Sequence, residues 1–240
     1  MSTVSIEFDP NDRDDCFNWP LDRAPAFIGV DPAFVRDHTA LAVVTVHMLN
    51  GVPILAQRDV QVLELGTPSE TVLDVVTRAA TTYQAKVVVD ATNNLALMGS
   101  LANRFGREAP KRLIAVNIVT GVDDAITPVP FPVAVAGAQL AIPRFSISRS
   151  RTFERLVGEI SSQTIRLSKH GDAAILREQI AGIEMIEGGG RRAFDHPSDG
   201  HDDAIWAVGI ACWAARQLLP AQRKRPPGGR GPKFSNLAWT

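Results

Sequence analysis

The chain has 240 residues, 45% of them apolar and 21% charged, which is enough to bury one large core and argues against intrinsic disorder. A formal net charge of −1 argues against tight non-specific binding to nucleic acid by the domain alone. Two cysteines, Cys16 and Cys212, make no disulfide framework, and the apolar stretches are too short for a membrane span.

Residues 1–24 are polar, acidic and aperiodic, and read as an arm without the apolar centre of a signal peptide. A reducing cytoplasm is the expected location. A first strand is predicted over about 26–31, ending on Asp31. A polar turn containing Asp37 and His38 follows, then a second strand over 39–48, favoured by Val43, Val44, Thr45 and Val46. Asn50-Gly51 marks a tight hairpin turn, and 53–63 returns as a third strand.

Thr67-Pro68-Ser69-Glu70 reads as a helix start, with threonine as cap, proline at the first position and glutamate answering the cap. Val72, Leu73 and Val76 then recur at helical spacing. A strand over 86–90 ends on Asp90 and leads through Thr92-Asn93-Asn94 into a helix reaching Phe105. Residues 112–119 form a further strand, and 120–144, rich in proline and glycine, resist assignment. Phe153, Leu156, Val157 and Ile160 mark a helix, and Asp172 caps another carrying Leu176 and Ile180.

Residues 183–194 read as a hairpin around Gly188-Gly189-Gly190. Asp202-Asp203 then opens a helix that is apolar nearly all round and so should be buried. Asp203, Ala207, Ala211 and Ala214 share one face, whose small side chains permit close packing on a sheet. Cys212 inside that helix reads as a core residue. Residues 219–240 carry Arg223, Lys224, Arg225, Arg230 and Lys233 and no acid, and read as a flexible basic tail.

Two carboxylates at the ends of buried strands and one in the first turn of a buried helix are rigidly held. Brought together, they repel one another unless a cation lies between them. Oxygen-only ligands suit Mg²⁺ or Mn²⁺ rather than zinc, and two such ions about 4 Å apart serve in-line phosphodiester hydrolysis. His201 beside the acid pair reads as a local hydrogen-bond partner. His38, His47, His170 and His196 lack ligand spacing, and Asp123-Asp124 and Glu184/Glu187 read as solvated acids. Arg149, Arg151 and Arg155 suit either phosphate contact or an exposed helix start.

Three antiparallel strands, then alternating helix and strand, then a buried helix that begins with acid, outline an RNase H-like fold. This is an α/β architecture with a mixed central sheet and helices on both faces. Phe27-Ile28-Gly29-Val30-Asp31-Pro32-Ala33 with Asp37-His38-Thr39-Ala40, Val88-Val89-Asp90-Ala91-Thr92 and Gly200-His201-Asp202-Asp203 with Ala207 together resemble the nuclease domain of phage large terminase subunits. The resemblance spans about 25–217, within a domain of 25–218. It implies an endonuclease that cuts concatemeric viral DNA during packaging with divalent metal. Asp31, Asp90 and Asp203 would be the catalytic metal ligands, with Asp31 bridging and Asp202 supporting. Double-stranded DNA is the implied substrate, and an ATPase motor, the small terminase and the portal are implied partners, with no membrane.

A large terminase also carries an ATPase motor, whereas this sequence has no Gly-x-x-x-x-Gly-Lys-Ser/Thr loop. Either an isolated nuclease domain or a separately encoded nuclease fits. A junction resolvase, a transposase core, or a non-catalytic packaging module of the same fold are the rival readings.

Overall fold

The computed structural model describes residues 21, 24–33, 38–119, 124–125, 127–188, 191–195 and 201–219, without the side chains of 185–195. Nearly all of the arm, the basic tail, Cys16, Asp37, Asp123 and residues 196–200 lie outside the described residues. Among the described residues no helix is long and apolar enough to cross a membrane.

The chain opens with β1 (Ala26–Asp31), β2 (Ala40–Leu49) and β3 (Val52–Val62), paired antiparallel in sequence order. Asn50 and Gly51 turn the β2–β3 hairpin with φ of 51° and 79°, the left-handed pair that matches strand twist. Next come α1 (Ser69–Thr82), β4 (Lys86–Asp90), α2 (Leu95–Phe105), a short α3 (Ala109–Arg112) and β5 (Leu113–Val119). β4 adds parallel to β1, and β5 parallel to β4.

Residues 129–148 resolve into the hairpin β6 (Val129–Val135) and β7 (Ala138–Ser148). Pro130 and Pro132 are tolerated because β6 is the sheet's edge, where no ladder N–H is needed on the outer side. Pro143 just precedes Arg144, where pairing of β7 to β5 begins. Then follow α4 (Arg149–Ser161), β8 (Ile165–Leu167), α5 (Ala173–Ala181), the hairpin β9 (Glu184–Gly188) and β10 (Arg191–Asp195), and α6 (Asp203–Leu218). The eight-stranded sheet runs β6-β7-β5-β4-β1-β2-β3-β8. β8, three residues parallel to β3, is an element that the sequence did not announce.

The expected cap of α1 is not formed. Its N-cap residue is Pro68, no side chain caps it, and the Thr67 hydroxyl donates instead to the Glu64 carbonyl. Asp172 does stand at the N-cap of α5, yet its carboxylate accepts from Val62 N at 2.7 Å and so ties α5 to β3.

Strand alternation divides the core into two layers. Ile28, Val30, Val87 and Val89 pack under α1 and α2, while Phe27, Val88, Val116 and Ile147 pack under α4, α5 and α6. Every residue of α6 from Asp203 to Ala215 is buried, as its all-round apolarity predicted. Burial pushes the Cys212 thiol far above its ordinary pKa, which keeps it a neutral core residue. The helix lies directly on β1: a Cβ on Gly29 would stand 1.9 Å from the Ala207 carbonyl oxygen. Its opening turn is completed from outside, since Asp202 makes no side-chain cap and Ile205 N donates to Oε1 of the buried Gln179 on α5 at 3.0 Å.

Gly29→Ala must displace backbone rather than a side-chain tip, so thermal unfolding should show a loss of at least ~3 kcal/mol, the upper range for overpacking. Gly99→Ala, in mid-α2 with open space around it, should instead gain about 0.5–1 kcal/mol by the same assay. Gln179→Ala leaves the Ile205 N–H buried without an acceptor, and denaturant titration should register a cost of about 1–3 kcal/mol. A neutral result would mean that water replaces the glutamine.

Candidate active site at the strand ends

Asp31 and Asp90 close two adjacent parallel strands in register. The last β1–β4 pair is Val30 with Val89, so the two aspartates follow it side by side, about 5 Å apart across the sheet. Alternation puts Asp31 on the face of Phe27 and Gly29, and Asp90 on the face of Val88, which is the face that α6 covers.

α6 runs antiparallel to β1. Near its start Trp206 Nε1 donates to Asp90 Oδ2 at 3.2 Å, and near its end an Arg216 guanidinium N–H donates to the Pro53 carbonyl at the far edge of the β2–β3 hairpin. Asp203 is one helical turn before Ala207, about 6 Å along the axis, and Asp31 is two residues beyond Gly29, a similar distance along the strand. The Gly29–Ala207 contact therefore brings Asp203 to the level of Asp31. Asp203 is buried, at 4% exposure.

The acids share an edge and a face without closing on one point. Among the described residues no group of three or more His, Cys, Asp or Glu stands ready as a metal cage. Asp90 Oδ1 accepts from Thr92 N at 2.9 Å and from the Thr92 hydroxyl at 2.6 Å, an Asx turn into the following loop. That hydroxyl also accepts from Ile118 N at 2.8 Å, so β5 braces the carboxylate through Thr92. Asn94 Nδ2 donates to the Pro32 carbonyl at 2.8 Å and joins the loops after β4 and β1. A carboxylate has about four acceptor positions, so Asp90 keeps capacity beyond these three bonds.

The two acids of the pair differ sharply. Asp202 Oδ2 is bonded by an Arg149 guanidinium N–H, whereas Asp203 turns into the sheet. This difference favours Asp203 as the inward acid. His201 is an exposed neighbour, with Nδ1 3.9 Å from Asp203 Oδ2 and its ring edge-on to His38 at 5.5 Å. His38 is itself anchored, with Nδ1 3.0 Å from the Leu63 carbonyl oxygen. His47 is partly buried beside Thr45 Oγ1 at 2.8 Å, and burial together with Arg58 lowers its pKa.

Asp124 is not solvated. It accepts from Ser148 N at 2.8 Å and Trp213 Nε1 at 3.3 Å and pairs with Arg155, so it fastens its loop to β7, α4 and α6. Of the three arginines at the start of α4, Arg151 pairs with Glu154 at 3.3 Å, which leaves Arg149 as the one turned to the acid pair. Thr92, Arg149, Gln179 and Trp206 all support this edge, and sequence reading gives that part to Thr92 alone. Thr92, two residues past Asp90, is readable as the receiving residue of an Asx turn.

No protein-family profile matches the chain, and no curated protein matches it in sequence. Among solved structures it is similar to the large terminase nuclease from the thermophilic phage G20c. That match has 13% identity and a TM-score of 0.50, covering 79% of this chain and 82% of that one. It is also similar to the Mn-soaked human cytomegalovirus terminase nuclease domain, with 13% identity and a TM-score of 0.53 over 83% of this chain and 88% of that one. Sheet order, helix placement and these matches agree: the chain has the RNase H-like fold of terminase large-subunit nuclease domains.

Proposed function

We propose that this chain is a metal-dependent DNA endonuclease of the terminase large-subunit type, which hydrolyses phosphodiester bonds of concatemeric viral DNA during genome packaging. The observation that carries the reading is the register of β1 and β4, which end on Asp31 and Asp90 beneath the first turn of α6. The donor set fits a hard divalent ion, being carboxylate oxygen throughout, with no thiolate nearby among the described residues. Asp31, Asp90 and Asp203 would hold Mg²⁺ or Mn²⁺ in a two-ion site, with Asp31 central and Asp202 supporting. Bound there, the metal supplies a water of lowered pKa and neutralises charge on the leaving oxygen.

The protein's own contribution is position. Asp31 is fixed by the strand on either side of it, Asp90 by Thr92 and Trp206, and Asp203 by the burial of α6. The positive end of the α6 dipole lies at Asp202, the N-cap residue, and at Asp203 in the first turn, where carboxylates are favourably placed. Trp206, fully buried, walls off the inner side of Asp90 from water. The partners that follow from this reading are double-stranded DNA, an ATPase motor chain or domain, the small terminase and the portal, in the cytoplasm of a bacterial host.

Plasmid cleavage in Mn²⁺, Mg²⁺ and EDTA tests it. Cleavage should require metal and fall at least about 100-fold in Asp31→Asn, Asp90→Asn and Asp203→Asn, each of which removes a charge held against the ions. Asp202→Asn should retain measurable activity. Folded wild type that binds DNA, gains no stability from Mn²⁺ and leaves DNA intact would favour the non-catalytic packaging module instead.

A further inference from the structure

Arg149 touches both halves of the acidic edge at once. It is the first residue of α4, directly after β7 ends at Ser148, and it is only partly exposed. Its guanidinium carbon lies 5.7 Å from the centroid of the Trp206 ring and 5.3 Å from that of Phe153, while one N–H bonds Asp202 Oδ2. Phe153 in turn packs edge-on against Trp206, with centroids 5.7 Å apart and planes at 89°. The indole is thus held on one side by an aromatic edge and on another by a planar cation, and its Nε1–H reaches Asp90 Oδ2 at 3.2 Å.

We propose that Arg149 is a positioning residue for the acidic site: by stacking on Trp206 and pairing with Asp202 it aims the indole N–H at Asp90 and sets the first turn of α6 that carries Asp203. The inference rests on the nuclease reading above and adds a residue to it. The bond from Trp206 occupies one lone pair of Asp90 Oδ2 and, with the two bonds from Thr92 to Oδ1, fixes the carboxylate plane and leaves one acceptor position on Oδ2. The bond to Asp202 restrains the residue immediately before Asp203. A guanidinium suits both contacts together, since its flat face stacks while its edge donates, whereas an ammonium has no flat face to stack while it pairs.

The chemistry distinguishes this role from direct contact with DNA. A phosphate-binding arginine affects the apparent affinity for DNA and its salt dependence. A positioning arginine affects metal affinity in the absence of DNA, because outer groups that orient ligands are worth about 10–100-fold in metal binding.

The test is calorimetric titration of Mn²⁺ into the full chain without DNA, paired with plasmid cleavage at varied Mn²⁺ and salt. Arg149→Gln and Trp206→Phe should each weaken Mn²⁺ binding about tenfold. The double variant should be no weaker than Arg149→Gln alone, because Trp206 acts through the bond to Asp90 that Arg149 aims. Arg149→Lys, which keeps the pair with Asp202 and loses the stack, should fall between wild type and Arg149→Gln. Trp213→Phe removes an indole N–H from the same helix at Asp124, and should leave Mn²⁺ affinity at the wild-type value, which separates positioning from general loosening of α6. Unchanged Mn²⁺ affinity in Arg149→Gln, with a raised KM for DNA and a salt slope reduced by about one, would overturn the inference and make Arg149 a phosphate contact. So would a double variant about a hundredfold weaker than wild type. In either case the nuclease reading survives, whereas wild type that neither binds Mn²⁺ nor cleaves removes both.

Discussion

A Cβ on Gly29 would stand 1.9 Å from the carbonyl oxygen of Ala207, and the approach of α6 to β1 that this contact measures sets the geometry of the whole acidic edge. A helix normally rides about 10 Å above a sheet on interleaved side chains. Here one of those side chains is missing, and the helix backbone settles into the gap. Its neighbours accept the settling because Ala204, Ala207, Ala211 and Ala214 are small and buried. The result is that a carboxylate in the helix's first turn comes level with carboxylates at the strand ends.

Assembling acids in this way stores electrostatic repulsion, and the fold disperses it through specific neighbours. Asp90 is shared between Thr92 and Trp206, Asp202 is taken by Arg149, and the amide end of α6 faces both acids of its first turn. These contacts come from β4, α4 and α6, elements that are distant in sequence. The edge is therefore held as a unit by the tertiary structure rather than by any local motif.

The sequence disclosed those features that depend on periodicity or on one residue's own chemistry. Apolar runs rich in strand formers located β1 to β5, Asn50-Gly51 gave the first hairpin, and a helix apolar on every side could only be buried. The strand-terminal acids and the alanine face of α6 were legible for the same reason. What remained hidden depends on partners far along the chain. The β6–β7 hairpin turns at Ala136-Gly137, with φ of 47° and 82°, and alanine gives no sign of a left-handed turn. β8 is three residues long and exists because β3 offers it an edge. The Thr67 cap failed because the helix begins one residue later, with Pro68 at the N-cap, and the Thr67 hydroxyl points back to the Glu64 carbonyl. Trp206 reads as one more core residue until Asp90 is seen at its indole nitrogen, 116 positions away in the sequence.

The bond between Gln179 and Ile205 has a further meaning for how such a protein can change over time. Its two residues sit on α5 and α6, so the chain leaves one point after α5 and returns beside the same point to begin α6. Everything in between, including the β9–β10 hairpin, is a closed excursion whose ends are already fastened to each other. Closing a loop costs little more as the loop lengthens. The β9–β10 hairpin of this excursion can be shortened, extended or exchanged for a different sequence while Asp202 and Asp203 keep their places, which makes it a natural slot for evolving new neighbours to an unchanged acidic edge.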